Sequence, residues 1–185
     1  MNADPSGRRG LALVGARGTG KTSVGRIVAG RLGLPFADAD EELQRRAGRP
    51  IAAIFAAQGE PAFRDLEEEV LADLAARAAL VLATGGGAVL RATNRRALRR
   101  FGLVVWLTAG PDVLAGRLLR DPGGRPALTA AGTVAEVAAV LGARTPLYRE
   151  VADATVETAG RTPAEVADAV LDAWSRWHPP GAPPP

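Results

Sequence analysis

The sequence predicts an α/β protein whose parallel β-sheet is covered by helices on both faces. Three observations lead there. Short, uniformly apolar runs alternate with stretches whose apolar residues recur at helical spacing. The runs lack the in–out alternation of a half-exposed strand, so they read as strands buried on both sides. Glycines or acidic residues follow three of the runs, where the chain leaves the sheet. Strands linked through helices pair in parallel.

The elements follow in order. Leu11 to Val14 is the first strand, and Gly15 opens a glycine-rich turn after it. From Thr22, the residues Val24, Ile27, Val28 and Leu32 mark a helix closed by Gly33. Pro35 to Ala37 fits a second strand, and acidic residues open a helical stretch near Asp40 to Ala47. From Pro61, the residues Phe63, Leu66, Val70, Leu71 and Leu74 line one face of a long helix. Leu80 to Ala83 is a third strand, ended by Thr84 and three glycines. Thr93-Asn94 provides capping-type residues for a helix bearing Arg95, Arg96, Arg99 and Arg100. Leu103 to Leu107 is a fourth strand, and Pro111 suits the first turn of the helix after it. Asp121-Pro122-Gly123-Gly124-Arg125-Pro126 breaks that helix into a loop. Helix resumes over Thr133 to Leu147, Ala154 to Val156 is the fifth strand, and Pro163 starts a last helix with Val166, Val170, Ala173 and Trp174 on one side.

The 185 residues accommodate one domain, expected over 10–177, with a flexible start at 1–9 and a proline-rich, disordered tail at 178–185. Composition excludes several chemistries. There is no cysteine, hence no thiol catalysis, thiolate metal site or disulfide. The only histidine, His178, lies in the tail, which leaves no material for a Ser-His-Asp triad or a histidine-ligated metal. The net charge of +3 is too small to make nucleic acid the default partner, and the basic stretch from Arg95 to Arg100 has no interleaved aromatics, so it reads as a solvated helix face. No apolar run approaches a membrane span, and the first ten residues lack the apolar segment of a signal peptide. A cytoplasmic protein with no membrane partner is expected.

Gly15-Ala16-Arg17-Gly18-Thr19-Gly20-Lys21-Thr22 satisfies every fixed position of the P-loop pattern, and it lies between a predicted strand and a predicted helix. Such a loop turns backbone amides toward phosphates at the positive end of a helix. Gly15, Gly18, Thr19, Gly20, Lys21, Thr22 and Ser23 are the expected nucleotide contacts. Lys21 would bridge the terminal phosphates and Thr22 would ligate Mg²⁺. Of 23 basic residues, Lys21 is the one lysine, kept where a compact ammonium on a flexible stem suits the chemistry.

The loop does not say what receives the phosphoryl group. Asp38-Ala39-Asp40 follows the second strand, where open α/β sheets bind ligands. One carboxylate could serve a magnesium ion and the other a reacting hydroxyl; equally, Asp40 could be the N-cap of an ordinary acidic helix start. Arg64, with Glu67 and Glu68 three and four positions on, is either an oriented carboxylate clamp or a surface ion pair. Gly85, Gly86 and Gly87 give up backbone entropy directly after a buried strand, either to let a ligand approach or as a plain turn.

Together, the P-loop, Phe36-Ala37-Asp38-Ala39-Asp40, Gly59-Glu60 with Phe63-Arg64, Ala83-Thr84-Gly85-Gly86-Gly87-Ala88-Val89, Arg125-Pro126, and Arg144 before Pro146-Leu147-Tyr148 resemble the shikimate kinase family in order and spacing, over roughly residues 10 to 175. The resemblance implies a nucleoside-monophosphate-kinase-like fold with a five-stranded parallel sheet and a lid loop, at about 120–132 in this chain. It implies ATP-dependent phosphorylation of the shikimate 3-hydroxyl with Mg²⁺, by an enzyme that commonly works as a monomer. On this resemblance Asp40 polarises the reacting hydroxyl and Asp38 serves the magnesium. Arg64 and Arg144 grip the carboxylate, Glu67 orients Arg64, and the three glycines place backbone against the ring. Arg125 is the lid arginine that closes over the phosphates, and Arg120 packs on adenine. One departure is Ala127, where the family usually has leucine after the lid proline. The rivals are a kinase for another polyhydroxy acid such as gluconate, and a nucleotide-binding regulatory relative without turnover. The first need not keep Arg64, the glycine triplet and Arg144 together; intact Lys21, Asp38, Asp40 and Arg125 argue against the second.

Overall fold

The computed structural model describes residues 10–77, 79–120 and 134–177. Five strands, β1 (Leu11–Val14), β2 (Phe36–Asp38), β3 (Val81–Ala83), β4 (Leu103–Thr108) and β5 (Ala154–Glu157), form one sheet in the order β2-β3-β1-β4-β5. Every pairing is parallel. The helices are α1 (Lys21–Leu32), α2 (Ala39–Ala47), α3 (Ile51–Ala75), α4 (Ala92–Phe101), α5 (Pro111–Arg120), α6 (Val134–Val151) and α7 (Pro163–Arg176), with a 3₁₀ turn at Ala88–Leu90.

Successive strand residues point to opposite faces, and that alternation divides the interior into two cores. Leu11, Leu13, Val81, Leu103, Val105 and Leu107 face one side and pack on Val24 and Val28 of α1 and Val166, Val170 and Trp174 of α7. Ala12, Val14, Leu82, Val104 and Trp106 face the other, against Leu43, Phe63, Leu71, Leu98 and Tyr148 of α2, α3, α4 and α6. All four residues of β1 are buried, which is why its sequence has no polar alternation. Because β1 lies between β3 and β4, the loop after it opens at the point where strand order reverses, the usual ligand crevice of such sheets.

The structure differs from the sequence expectation in two places. Residues 51–58, unassigned by pattern, are helical: Ile51 and Ile54 are buried, and the segment is separated from the helix after Pro61 by Gly59, whose φ of 77° breaks the helical path. The Gly59-Glu60-Pro61 stretch thus marks a kink between two helices. Thr93-Asn94 does not cap α4. The cap position is Arg91, with no side-chain cap bond, and Asn94 is buried inside the first turn, its amide donating to the Ala88 carbonyl at 3.0 Å. On the basic face of α4, Arg96, Arg99 and Arg100 are exposed as expected, and only Arg95 is half-buried. Arg95 Nε binds Glu150 at 3.0 Å, and Arg91 bonds to Glu68 at 2.8 Å and Asp65 at 2.6 Å, bracing α4 against α6 and α3. Among the described residues, no helix is long and apolar enough to cross a membrane.

Candidate active site

The loop after β1 is built for anions. Gly15 has a φ of 142°, and an added Cβ would collide with the Leu107 carbonyl, so only glycine fits. Thr19 Oγ1 donates to the Ala16 carbonyl at 2.8 Å and ties the loop to itself. Gly20 caps α1 with a left-handed φ of 86° and no side-chain cap bond, and the first turn carries no acid. The orphan N–H groups of that turn therefore stay available to a ligand. The contrast is α7, where Thr162 and Glu165 form a full capping box. Lys21 is buried, and its Nζ donates to the Gly15 and Ala16 carbonyls at 2.8 and 2.9 Å, so the ammonium lies across its own loop.

Asp38 ends β2 and does two things. Oδ1 accepts from the N–H groups of Asp40 at 2.9 Å and Glu41 at 3.3 Å, so Asp38, not Asp40, is the N-cap of α2. Oδ2 accepts from the Thr22 hydroxyl at 2.6 Å. Two side-chain oxygens thus converge beside the phosphate loop. Among the described residues there is no group of three or more His, Cys, Asp or Glu able to hold a metal. Such a donor set fits Mg²⁺, which keeps several waters and shares substrate phosphates, and suits no thiolate- or imidazole-loving ion.

The glycine triplet after β3 is the meeting point of the remaining side chains. A Cβ on Gly85 would lie 2.7 Å from Asp40 Oδ1 and 2.8 Å from Glu67 Oε1. One on Gly86 would lie 3.3 Å from the Arg17 nitrogen and 3.5 Å from the Gly15 carbonyl, against the phosphate loop. One on Gly87 would overlap the Arg64 guanidinium, 2.7 Å from Cζ. Close approach therefore accounts for Gly85 and Gly87, while a Cβ on Gly86 would press on the phosphate-loop backbone by a few tenths of an ångström.

Arg64 is 9% exposed, which removes the surface-ion-pair reading. It donates to Glu67 Oε2 at 2.7 Å and to Glu60 Oε1 at 3.0 and 3.2 Å, while Glu68, the alternative partner, turns to Arg91. Burial works against the charge of Arg64, but the Glu67 and Glu60 carboxylates outweigh it and raise its pKa. Arg144 of α6 donates to the Gly86 carbonyl at 3.2 Å. Asp40, Arg64, Glu67 and Arg144, widely spaced in the chain, are thus gathered round one three-residue segment beside the phosphate loop.

Arg125 and the expected lid, apart from Arg120, lie outside the described residues. Arg120 is exposed at the C-terminal end of α5, and Arg117, one turn earlier, enters a cleft of about 200 Å³ with Gly18, Thr19, Gly20, Ser23, Thr158 and Pro163. Arg117 donates to the Gly18 carbonyl at 3.0 Å, the Thr158 hydroxyl at 2.9 Å and the Thr158 carbonyl at 2.7 Å. Sequence reasoning missed Arg117 because either arginine suits a helix end, and only the fold brings Thr158 alongside. It also left Tyr148 without a role, although its place one turn after Arg144 puts the two on one helix face.

A phosphate loop, a paired hydroxyl and carboxylate that suit a hard cation, and an adjoining cluster of acids and arginines define a P-loop phosphotransferase that acts on a small anionic acceptor. Comparison with known proteins narrows the class. The shikimate kinase family model matches residues 17–175. Shikimate kinase of Pseudomonas fluorescens is 47% identical over 164 residues, covering 89% of this chain and 95% of that one. The structure of shikimate kinase from Acinetobacter baumannii in complex with shikimate superimposes with a TM-score of 0.87 at 40% identity, covering 92% of this chain and 94% of that one. A gluconokinase from Sinorhizobium meliloti, at 21% identity and a TM-score of 0.63 over 92% of this chain and 94% of that one, shares the fold alone. The chain belongs to the shikimate kinase family.

Proposed function

We infer that the protein transfers the γ-phosphoryl group of ATP to the 3-hydroxyl of shikimate, giving shikimate 3-phosphate and ADP in the route to chorismate and aromatic amino acids. The observation that carries this is the glycine triplet, packed at once against Asp40 and Glu67, the phosphate loop and Arg64, with Arg144 on its central carbonyl. A gluconate kinase has no need of that set, and it has only the fold in common with this chain. A non-catalytic relative has no need of Asp40 beside the loop.

The roles follow from position. The first turn of α1 and the loop amides hold the phosphates, and Lys21 leaves the Gly15 and Ala16 carbonyls for the terminal phosphates. Thr22 and Asp38 hold Mg²⁺, which supplies charge neutralisation across the phosphates when bound. Arg117 faces the base from its cleft with Ser23 and Pro163, beside Arg120 at the end of the same helix. Arg64 and Arg144 take the acceptor's carboxylate, with Glu67 fixing Arg64. Asp40 accepts the hydrogen bond of the reacting hydroxyl and takes its proton as the new P–O bond forms and the bond to ADP breaks. An arginine closing over the phosphates, the part assigned to Arg125, is worth about 10³ to 10⁵ in rate.

A coupled ADP-release assay with shikimate, quinate and gluconate supplied separately tests this reading. Turnover with a strong preference for shikimate is expected. Equal rates on all three would sink the substrate assignment, and no release with any would favour the non-catalytic reading.

A further inference from the structure

Tyr148 is the only tyrosine of the chain, and it is completely buried. Its hydroxyl donates to the Gly86 carbonyl at 2.6 Å, the same oxygen that accepts from Arg144 at 3.2 Å. The ring is stacked on Trp106 of β4, with centroids 5.7 Å apart and planes at 19°. The two donors to this carbonyl therefore differ in kind. One is a rigid phenol seated against the sheet; the other is the end of a long side chain that must also meet substrate.

The Gly86 carbonyl is part-buried, and such an oxygen left without a protein donor carries a free-energy penalty, whereas one that keeps one of two donors loses little. If Arg144 were the sole donor, turning its guanidinium toward an incoming carboxylate would strip Gly86 of its partner, and that penalty would be subtracted from acceptor binding. The phenol removes the penalty in advance. Burial raises the Tyr148 pKa, although the nearby Arg144 charge opposes this, so the hydroxyl keeps its proton and remains a donor at neutral pH. Through Gly86 the same bond steadies the segment that touches the phosphate loop on one side and Arg64 on the other.

We propose that Tyr148 is a positioning residue of the acceptor site: its hydroxyl holds the Gly86 carbonyl so that Arg144 is released to the substrate carboxylate without leaving that carbonyl bare. The proposal rests on the reading of Arg144 as a carboxylate ligand.

The test is Tyr148→Phe, which keeps the ring and its stack on Trp106 and removes one oxygen. The shikimate KM is expected to rise about five- to tenfold, the size of one hydrogen bond, while kcat and the ATP KM change by less than about twofold. In an Arg144→Ala background the same substitution should shift the shikimate KM by less than about twofold, because no guanidinium remains to be released. An unchanged KM for Tyr148→Phe would overturn the proposal, and so would an equal rise in both backgrounds. A lowered melting midpoint with an unchanged KM would assign the hydroxyl to stability alone. Failure of the acceptor reading has a separate signature: a wild-type enzyme inactive on shikimate, or Arg144→Ala with an unchanged shikimate KM.

Discussion

Gly87→Ala isolates the contact between the glycine triplet and Arg64. The backbone there has φ −97° and ψ −2°, which alanine adopts without strain, so any effect comes from the added methyl group. That methyl would lie 2.6 Å from Nη2 and 2.7 Å from Cζ of Arg64. Ordinary contact between such atoms is about 3.5 Å or more, so the guanidinium must retreat by about 1 Å. It has little room to do so, being buried and held to Glu67 at 2.7 Å and Glu60 at 3.0 Å. A displacement of that size in a substrate-positioning group costs on the order of 100-fold. Steady-state ADP release should therefore show kcat/KM for shikimate reduced by on the order of 100-fold, carried mainly by KM, with the ATP KM unchanged. A wild-type shikimate KM in a folded Gly87→Ala enzyme would refute the view that this contact sets the position of Arg64.

Asp40→Asn should remove most turnover while ATP affinity, measured by calorimetry, stays nearly intact; a large loss of ATP binding would misplace Asp40. Lys21→Arg should lose most activity, because a planar guanidinium is a poor replacement for a compact ammonium in the turn of the loop; full activity would show that charge alone suffices. Arg117→Ala should raise the ATP KM well above any effect of Arg120→Ala, and the opposite order would make Arg120 the principal base contact. Glu42 offers a pH test. Hydrogen bonds from Arg45 and Arg46 lower its pKa from 4.5 to about 2, so its contribution to stability is full above pH 4.5 and disappears as the pH falls through about 2. The stability gap between wild type and Glu42→Gln in urea titrations should be widest near neutral pH and close as the pH approaches that value. A gap independent of pH would mean that Glu42 acts through packing alone.

Much of the architecture was legible in the sequence, because strands buried on both faces are written as uninterrupted apolar runs. β1 and β4 are the plainest cases. The phosphate loop was legible for a different reason: its chemistry is local, and eight consecutive residues contain it. Segment 51–58 was not, since two isoleucines and a phenylalanine are a short periodic signal and Gly59 interrupts it. The choice of Asp38 over Asp40 as the helix cap depends on where β2 ends, and a two-residue shift in that boundary reverses it. The acceptor side was legible only as a joint pattern. Arg64 with Glu67 looks like any exposed helical ion pair until the fold buries it under Gly87. Arg117 and Tyr148 act through partners about 41 to 99 and 62 positions away, Thr158 and Gly18 for one and Gly86 for the other, and no local spacing encodes such contacts.

The most direct measurement is phosphorus NMR of a reaction containing the enzyme, Mg²⁺-ATP and shikimate. Loss of the γ-phosphorus signal of ATP should be matched by a single new phosphomonoester coupled to the proton on carbon 3 of shikimate. Inorganic phosphate as the sole product, or a phosphomonoester on another hydroxyl, would contradict the assignment of Asp40 and the glycine triplet as the site that presents the 3-hydroxyl to ATP.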